Sequence, residues 1–371
     1  MTTKTKLSLV AVAALTAAAG AAQAQNVTLF GRIDTGVQYI EKSSRSATGD
    51  SLTEMNNGGI LPSIWGLKGS EDLGGGLKAV FNLESDFSGD TGGSRGLGNI
   101  STAFGRQANV GLSGGFGTIL LGRQYSPAIL AELGVDPRGY KESYSMLLPY
   151  ALNQAPAGNA VAASENNGLG IFTSNLISYA GAFGPVNVFA GYGLGEVASS
   201  SDADTVAFGA NGKFGPVTVA GSFQRIRGGA TSGFAKTERY GLGAAFGFGI
   251  VTVKGLYARA TEDAISGLSA AEIETDNFGV GVDLAWLANN TATIAYYRGE
   301  TKSTNFETDT IVVSNDYALS KRTTLYAQFV YVDDKSPVVV GASNARNQIT
   351  GGSTQAGEKS FIAGVGIKHD F

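Results

Sequence analysis

The chain has 371 residues, with 54 glycines, 8 prolines, no cysteine, a single histidine, and 31 acidic against 27 basic side chains. The slight acidity and the lack of a basic stripe exclude a nucleic-acid binder. Without cysteine, a chain of this length must be held by its core or by its hydrogen-bond ladder, not by disulfides. Mean hydropathy is +0.04. Soluble proteins and barrels whose strands alternate apolar and polar side chains both average to such a value, so it separates nothing.

The first element is a leader. Lys4 and Lys6 precede an apolar stretch from Leu7 to about Gly20, and Ala22-Gln23-Ala24 supplies the small residues that signal peptidase reads. This is the pattern of a secretory signal peptide, expected over residues 1–24, with a mature chain from Gln25. It is too short for a spanning helix, and no later segment offers the roughly 18–20 consecutive apolar residues one needs. The chain is therefore expected to be exported and not to be a helical membrane protein.

The rest reads as short alternating strands. In the first, about 27–40, Val27, Leu29, Ile33, Val37 and Tyr39 share one parity and Thr28, Arg32, Asp34 and Gln38 the other. Tight turns recur at Asp72–Gly76, Gly114–Gly117, Phe183–Pro185, Phe214–Pro216, Gly247–Gly249, Ala288–Asn290 and Leu319–Arg322. Longer polar connections lie between them, at about 41–59, 88–101, 124–170, 197–202, 228–235, 262–273, 302–306 and 334–358. Seven turns alternating with eight long connections imply sixteen strands. An even number of antiparallel strands with a short-turn rim and a long-loop rim is the pattern of a closed transmembrane barrel. Backbone groups cannot stay unpaired in hydrocarbon, so such a sheet must close. The last strand alternates Phe361, Ala363, Val365 and Ile367 against Gly364, Gly366, Lys368 and Asp370, and the chain stops on the aromatic Phe371.

Several segments together resemble the sixteen-stranded trimeric general porins of beta-proteobacteria, over essentially the whole mature length. They are Val27-Thr-Leu-Phe-Gly-Arg-Ile-Asp-Thr-Gly36, Trp65 to Glu84 with its Gly-Leu-Lys-Gly-Ser-Glu-Asp-Leu-Gly-Gly-Gly core, Arg106 to Gly117, Leu121-Gly-Arg-Gln-Tyr-Ser-Pro127, Asp316 to Thr323, and the terminal strand. The resemblance implies an all-β barrel, a homotrimer, one water-filled pore per subunit for small ions and hydrophilic solutes, and a third loop folded inward as a constriction. It also implies an outer-membrane setting among lipid and lipopolysaccharide, with Phe371 read by the barrel-assembly machinery. The residues themselves agree on the loop. The stretch from Gln124 to about Gly170 is the longest connection, a length that is usually functional. It carries Glu132, Asp136 and Glu142 together with Tyr125, Tyr140, Tyr144 and Tyr150, and a short helix is expected around Pro127–Leu133.

A diffusion pore selects by size and by the field at its narrowest point. The resemblance places basic residues at Lys68, Arg106 and Arg123 on a wall facing the acidic third loop, with Glu84 as their neighbour. Arg32 lies on the inner parity of the first strand. The family usually carries arginine where this chain has Ile64 and Phe172, so a weaker anion preference than in typical relatives is expected. Counting alternation from Arg106 puts Asn109 on the outer face. There it would meet a neighbouring subunit, unless the register of that strand is shifted by one.

Three other readings compete. An outer-membrane enzyme is disfavoured because the only histidine, His369, is the third residue from the end, on the outward parity, a poor place for a general base. No cofactor or metal is expected; Gly241-Leu-Gly243 lacks the third glycine and the strand-to-helix context of a dinucleotide site. A substrate-specific channel would show a line of lumen aromatics, which the tyrosines of the third loop leave open. A surface adhesin barrel would have a plugged lumen.

Overall fold

The computed structural model describes residues 27–45, 49–94, 103–152, 167–168, 170–196, 204–228, 234–264, 272–302, 305–337, 349–350 and 354–371. The expected signal peptide lies outside them. Sixteen long strands run in chain order: β1 (Thr28–Ile40), β2 (Ile64–Gly74), β3 (Leu77–Asp86), β4 (Gln107–Gly114), β5 (Gly117–Tyr125), β6 (Phe172–Phe183), β7 (Val186–Gly193), β8 (Thr205–Phe214), β9 (Val217–Arg227), β10 (Phe234–Phe248), β11 (Val251–Ala264), β12 (Ile273–Leu287), β13 (Asn290–Thr301), β14 (Phe306–Ala318), β15 (Thr323–Asp334) and β16 (Lys359–Asp370). Each is hydrogen-bonded antiparallel to the next, and β1 pairs with β16 from Arg32↔Asp370 to Ile40↔Ile362, so the sheet closes. Closure extends to the last residue. The Phe371 N–H donates to the Gly31 carbonyl at 3.0 Å, and the Gly31 N–H donates back to Phe371 at 3.1 Å. The absence of a side chain at Gly31 leaves the space that the Phe371 ring fills.

Alternation sorts the side chains. Ile33 (42% exposed) and Val37 (46%) point outward to the bilayer, while Asp34 and Gln38 on the other parity are buried inside. The same sorting corrects the reading of Asn109. Val110 and Leu112 are the exposed residues of β4, so Asn109 faces inward opposite Asn82 and donates to the Arg123 carbonyl at 3.0 Å. The miscount came from Arg106. It precedes the ladder, which begins at Gln107, and a residue outside the pleat does not obey its parity.

One connection bends the wall. The lower half of β1 pairs with β2, but its upper half, Thr35–Ile40, pairs with a six-residue strand Leu52–Asn57 that alternation did not reveal. The segment 58–63 between them is drawn in. The buried Asp34 carboxylate accepts the N–H groups of Gly59, Ile60 and Leu61 at 3.2, 3.0 and 2.7 Å, and the Tyr326 hydroxyl at 2.7 Å. Two short helices occur in the third long connection: α1 (Pro127–Glu132) and α2 (Leu147–Leu152). The Ser126 hydroxyl caps α1 by accepting the Ala128 N–H at 3.3 Å, with proline in the first turn.

Deleting Phe371, or filling its slot with Gly31→Val, is expected to lower the folded fraction several-fold. Heat-modifiable mobility on gels is the readout, and selectivity should be unchanged in whatever does assemble. Insertion at normal yield in both variants would refute this role for the last residue.

Candidate pore constriction

The third loop leaves β5 at Ser126, and its described part, residues 126–152, lies inside the barrel. Its first helix packs on the inner faces of β7 to β10, where Gly241 and Gly243 lack the side chains that would collide with Glu132 and Val135. Glu132 is completely buried. It accepts two hydrogen bonds from Arg239 of β10, at 2.7 and 2.8 Å, and further ones from the Ser222 and Tyr140 hydroxyls. The Tyr150 ring lies 4.0 Å from the Arg239 guanidinium, and its hydroxyl donates to Gln224 of β9 at 2.8 Å.

The tip is held across the barrel. Arg138 donates to Gln328 of β15, and Lys141 pairs with Asp316 of β14 at 2.6 Å. The Tyr144 hydroxyl donates to Gln38 of β1 at 2.7 Å. The Glu142 N–H donates to the Ile60 carbonyl at 3.0 Å, so the inturned segment latched by Asp34 becomes part of the loop's seat. Asp136 is a turn organiser: its carboxylate accepts the N–H groups of Arg138, Tyr140 and Met146 at 2.9, 3.0 and 3.2 Å. Burial pushes the Asp136 carboxyl above the ordinary carboxylate range, and those N–H groups pull it back. Burial, with the Arg138 charge nearby, lowers the Lys141 ammonium.

On the wall, Arg106 and Glu84 form a buried ion pair at 2.6 Å, and Gln107 adds a hydrogen bond to the same carboxylate at 3.2 Å. The Arg106 guanidinium lies 4.7 Å from the Phe172 ring, which packs on Tyr125 with centroids 4.6 Å apart. Glu142 of the loop adds its field at Arg106. Ile64 stands inward between Arg32 and Asp86 on its neighbouring strands. Lys68 is exposed in a lumen recess of about 500 Å³ that it lines with Thr28, Asn82, Gln107, Asn109 and Thr118. On β1, level with Ile64, Arg32 pairs with Asp370 at 2.6 Å.

The expected site residues therefore fall into three groups. Arg106, Glu84 and Glu142 come together, with Lys68 below them in the same lumen. Glu132 and Asp136 are not at the lumen surface: both are 0% exposed and hold the loop. Arg123 is buried beside this group: after a register shift between Gly122 and Gln124 its guanidinium lies 5.7 Å from the Phe172 ring and donates to the Gly105 carbonyl at 2.6 Å and to Ser174 at 2.8 Å, with no carboxylate bonded to it among the described residues. Asp34, read from the sequence only as an inward residue of the first strand, carries the anchoring together with Arg239, Gln224 and Gln328, which the sequence reading does not name. The available signal was that each is a large polar side chain on the inward parity.

Comparison with known proteins decides the family. Residues 11–337 match the family model described as Gram-negative porin. The chain belongs to that family. The porin is 31% identical to Outer membrane porin protein 32 of Delftia acidovorans, over 99% of this chain and all of the relative. A 146-residue stretch is 43% identical to an outer membrane porin protein of Bordetella pertussis, covering 36% of this chain and 37% of that one. Among solved structures, an anion-selective porin from Comamonas acidovorans superposes with a TM-score of 0.78 at 27% identity, covering 94% of this chain and all of that one. An outer-membrane protein of Vibrio cholerae, OmpT, shares the fold at a TM-score of 0.63 and 14% identity, over 94% of this chain and 98% of that one. The porin resides in the outer membrane and forms a diffusion channel there.

Glu132→Gln or Arg239→Gln leaves one buried charge unpaired, a loss of about 3–5 kcal/mol in loop anchoring. Both variants are expected to show larger single-channel conductance and more open-channel noise. The paired Gln/Gln variant should cost less than the two single losses added together. Unchanged conductance and noise in both single variants would show that the ion pair does not hold the loop.

Proposed function

We propose that this porin is a homotrimeric general diffusion channel for small hydrophilic solutes and ions, made as a precursor with a cleaved leader and carrying no catalytic site. The observation that bears most on selectivity is the pairing of Arg106. Its charge is matched by Glu84 at 2.6 Å and sits under the Phe172 ring. Ile64 and Phe172 put apolar surface where the resemblance leads one to expect arginine, and Arg123 is bound to backbone and serine. Lys68 is the exposed basic residue of the expected wall. These features support a weak anion preference, below that of a porin such as the one from Comamonas acidovorans, whose description is anion-selective.

The loop aromatics favour a general pore over a substrate-specific one. Tyr140, Tyr144 and Tyr150 are 4%, 6% and 1% exposed and are committed to anchoring, so they offer no track along the lumen. His369, exposed at the rim beside Thr323, supports no catalytic reading. The early strands present Leu29, Ile33, Val37, Val110, Leu112 and Leu121 outward, an apolar face suited to subunit contact.

The test is planar-bilayer recording of the purified protein under a salt gradient. A stable ohmic conductance with a small anion-side reversal potential is expected, and Phe172→Arg or Ile64→Arg should move it several-fold further to the anion side. Strong anion selectivity of the unaltered protein would overturn the selectivity reading, and silence would overturn the channel.

A further inference from the structure

Below the Arg106–Glu84 pair, the inward parity of β1 to β5 carries a row of polar side chains. Lys68 of β2 stands in register with Thr28 on one side and Asn82 on the other, and Asn82 with Asn109 of β4. One step toward the short-turn rim the wall turns apolar. Val80 of β3, Gly111 of β4 and Leu120 of β5 are neighbours in register, and Gly111 puts no side chain between the other two. Inward positions enclose water and are ordinarily polar or small. Val80 and Leu120 depart from that rule. They are half-buried, and α1 of the third loop packs on β7 to β10 instead of on them.

These two rows line the lumen recess of about 500 Å³. A hollow of that size, with an apolar floor and a few polar groups at its edge, has the make-up of a small-molecule site. Its cation is set apart from the others. Inside the barrel Arg32, Arg106, Lys141, Arg239, Lys254 and Lys368 each meet a carboxylate at 2.6 or 2.7 Å. Lys68 is exposed and meets no carboxylate among the described residues. Its ammonium lies 5.0 Å from the centre of the Phe30 ring, which fills the space left by Gly66. Its three donors are therefore available to an anion that enters the recess.

We propose that this recess is a transit subsite for small organic monocarboxylates with an apolar body, for which benzoate is a simple probe. The carboxylate takes the Lys68 ammonium, and the apolar body lies on the floor made by Val80, Gly111 and Leu120. The inference rests on the diffusion-channel reading and names a class of solute that the same pore holds in passing. An inorganic ion uses the lysine and gains nothing from the floor. A neutral sugar leaves the lysine unmatched and the floor wet. A solute that carries both a charge and an apolar body satisfies both. One charge at an open recess gives weak binding, which suits a channel: a solute must be held well enough to enter and loosely enough to leave.

Planar-bilayer recording of the purified protein, with benzoate, acetate and benzamide added in turn, tests the subsite. Each block is normalised to the solute-free conductance of the same variant. Benzoate is expected to reduce the current with a half-effect in the millimolar range, and acetate and benzamide to be about 10-fold weaker. K68Q should weaken the benzoate effect about 10-fold, and K68R should restore most of it. L120N spares the charge and removes apolar floor, so it should weaken benzoate several-fold and leave acetate where it was. Equal block by benzoate and acetate, or benzoate block unmoved by K68Q or by L120N, would overturn the subsite and leave Lys68 as a contributor to the field alone. Saturation-transfer NMR of the detergent-solubilised protein reads contact with the benzoate ring without any current, and the ring signal should be lost in K68Q. A silent channel that still gives this signal would sink the channel reading and leave the subsite standing. A conducting channel that gives neither the signal nor the preference for benzoate would sink the subsite alone.

Discussion

The hydrogen-bond ladder between β1 and β16 is the constraint on which everything else in this chain rests. A sheet in hydrocarbon cannot leave an edge, because each unpaired backbone group costs several kcal/mol there. Closure is achieved along Arg32–Ile40 and is completed by the exchange of N–H and carbonyl groups between Gly31 and Phe371. Once the sheet is closed, alternation has only two destinations. One parity meets lipid and is apolar; the other encloses water and must be polar or small. The near-zero mean hydropathy and the high glycine content follow from that division.

A closed ladder also fixes the third loop. Glu132 meets Arg239 across 107 residues of sequence, and Arg138 meets Gln328 across 190. Those partners face inward only because the register of β10 and β15 turns them inward. A slip of one residue in either strand would send the anchor into the bilayer. The loop is therefore as well placed as the ladder is well registered. Asp34 belongs to the same chain of causes. By binding three consecutive N–H groups of the inturned segment, it builds the surface to which the Glu142 N–H and the Ser143 hydroxyl donate.

Much of this was legible in the sequence. Period-2 alternation and turn chemistry gave sixteen strands, the long third connection and its first helix, because each is set by neighbours a few residues apart. What could not be read was decided by contacts distant in sequence. Arg106 misled the register of its strand because it stands one residue before the pleat. Arg123 shares the parity of the outward Leu121, and the irregularity after Gly122, where φ is +118°, takes it out of that alternation so that it is buried against Phe172. Glu132 and Asp136 looked like pore carboxylates because a loop acid is usually solvated. Only the position of Arg239, and of three inward backbone N–H groups, makes them internal supports.

Carboxylate–cation pairs recur in this porin, and burial decides what each one does. Glu132–Arg239 is 0% and 2% exposed, so water cannot compete and the pair acts as a fixed joint. Glu84–Arg106 is nearly as buried, at 7% and 5%, and being matched within itself it gives its surroundings less field than an unpaired arginine would. On the outward faces of β11 and β13, Arg259 and Arg298 keep 38% and 42% of their side-chain surface, a range in which an ion pair contributes little to stability because water competes for both partners.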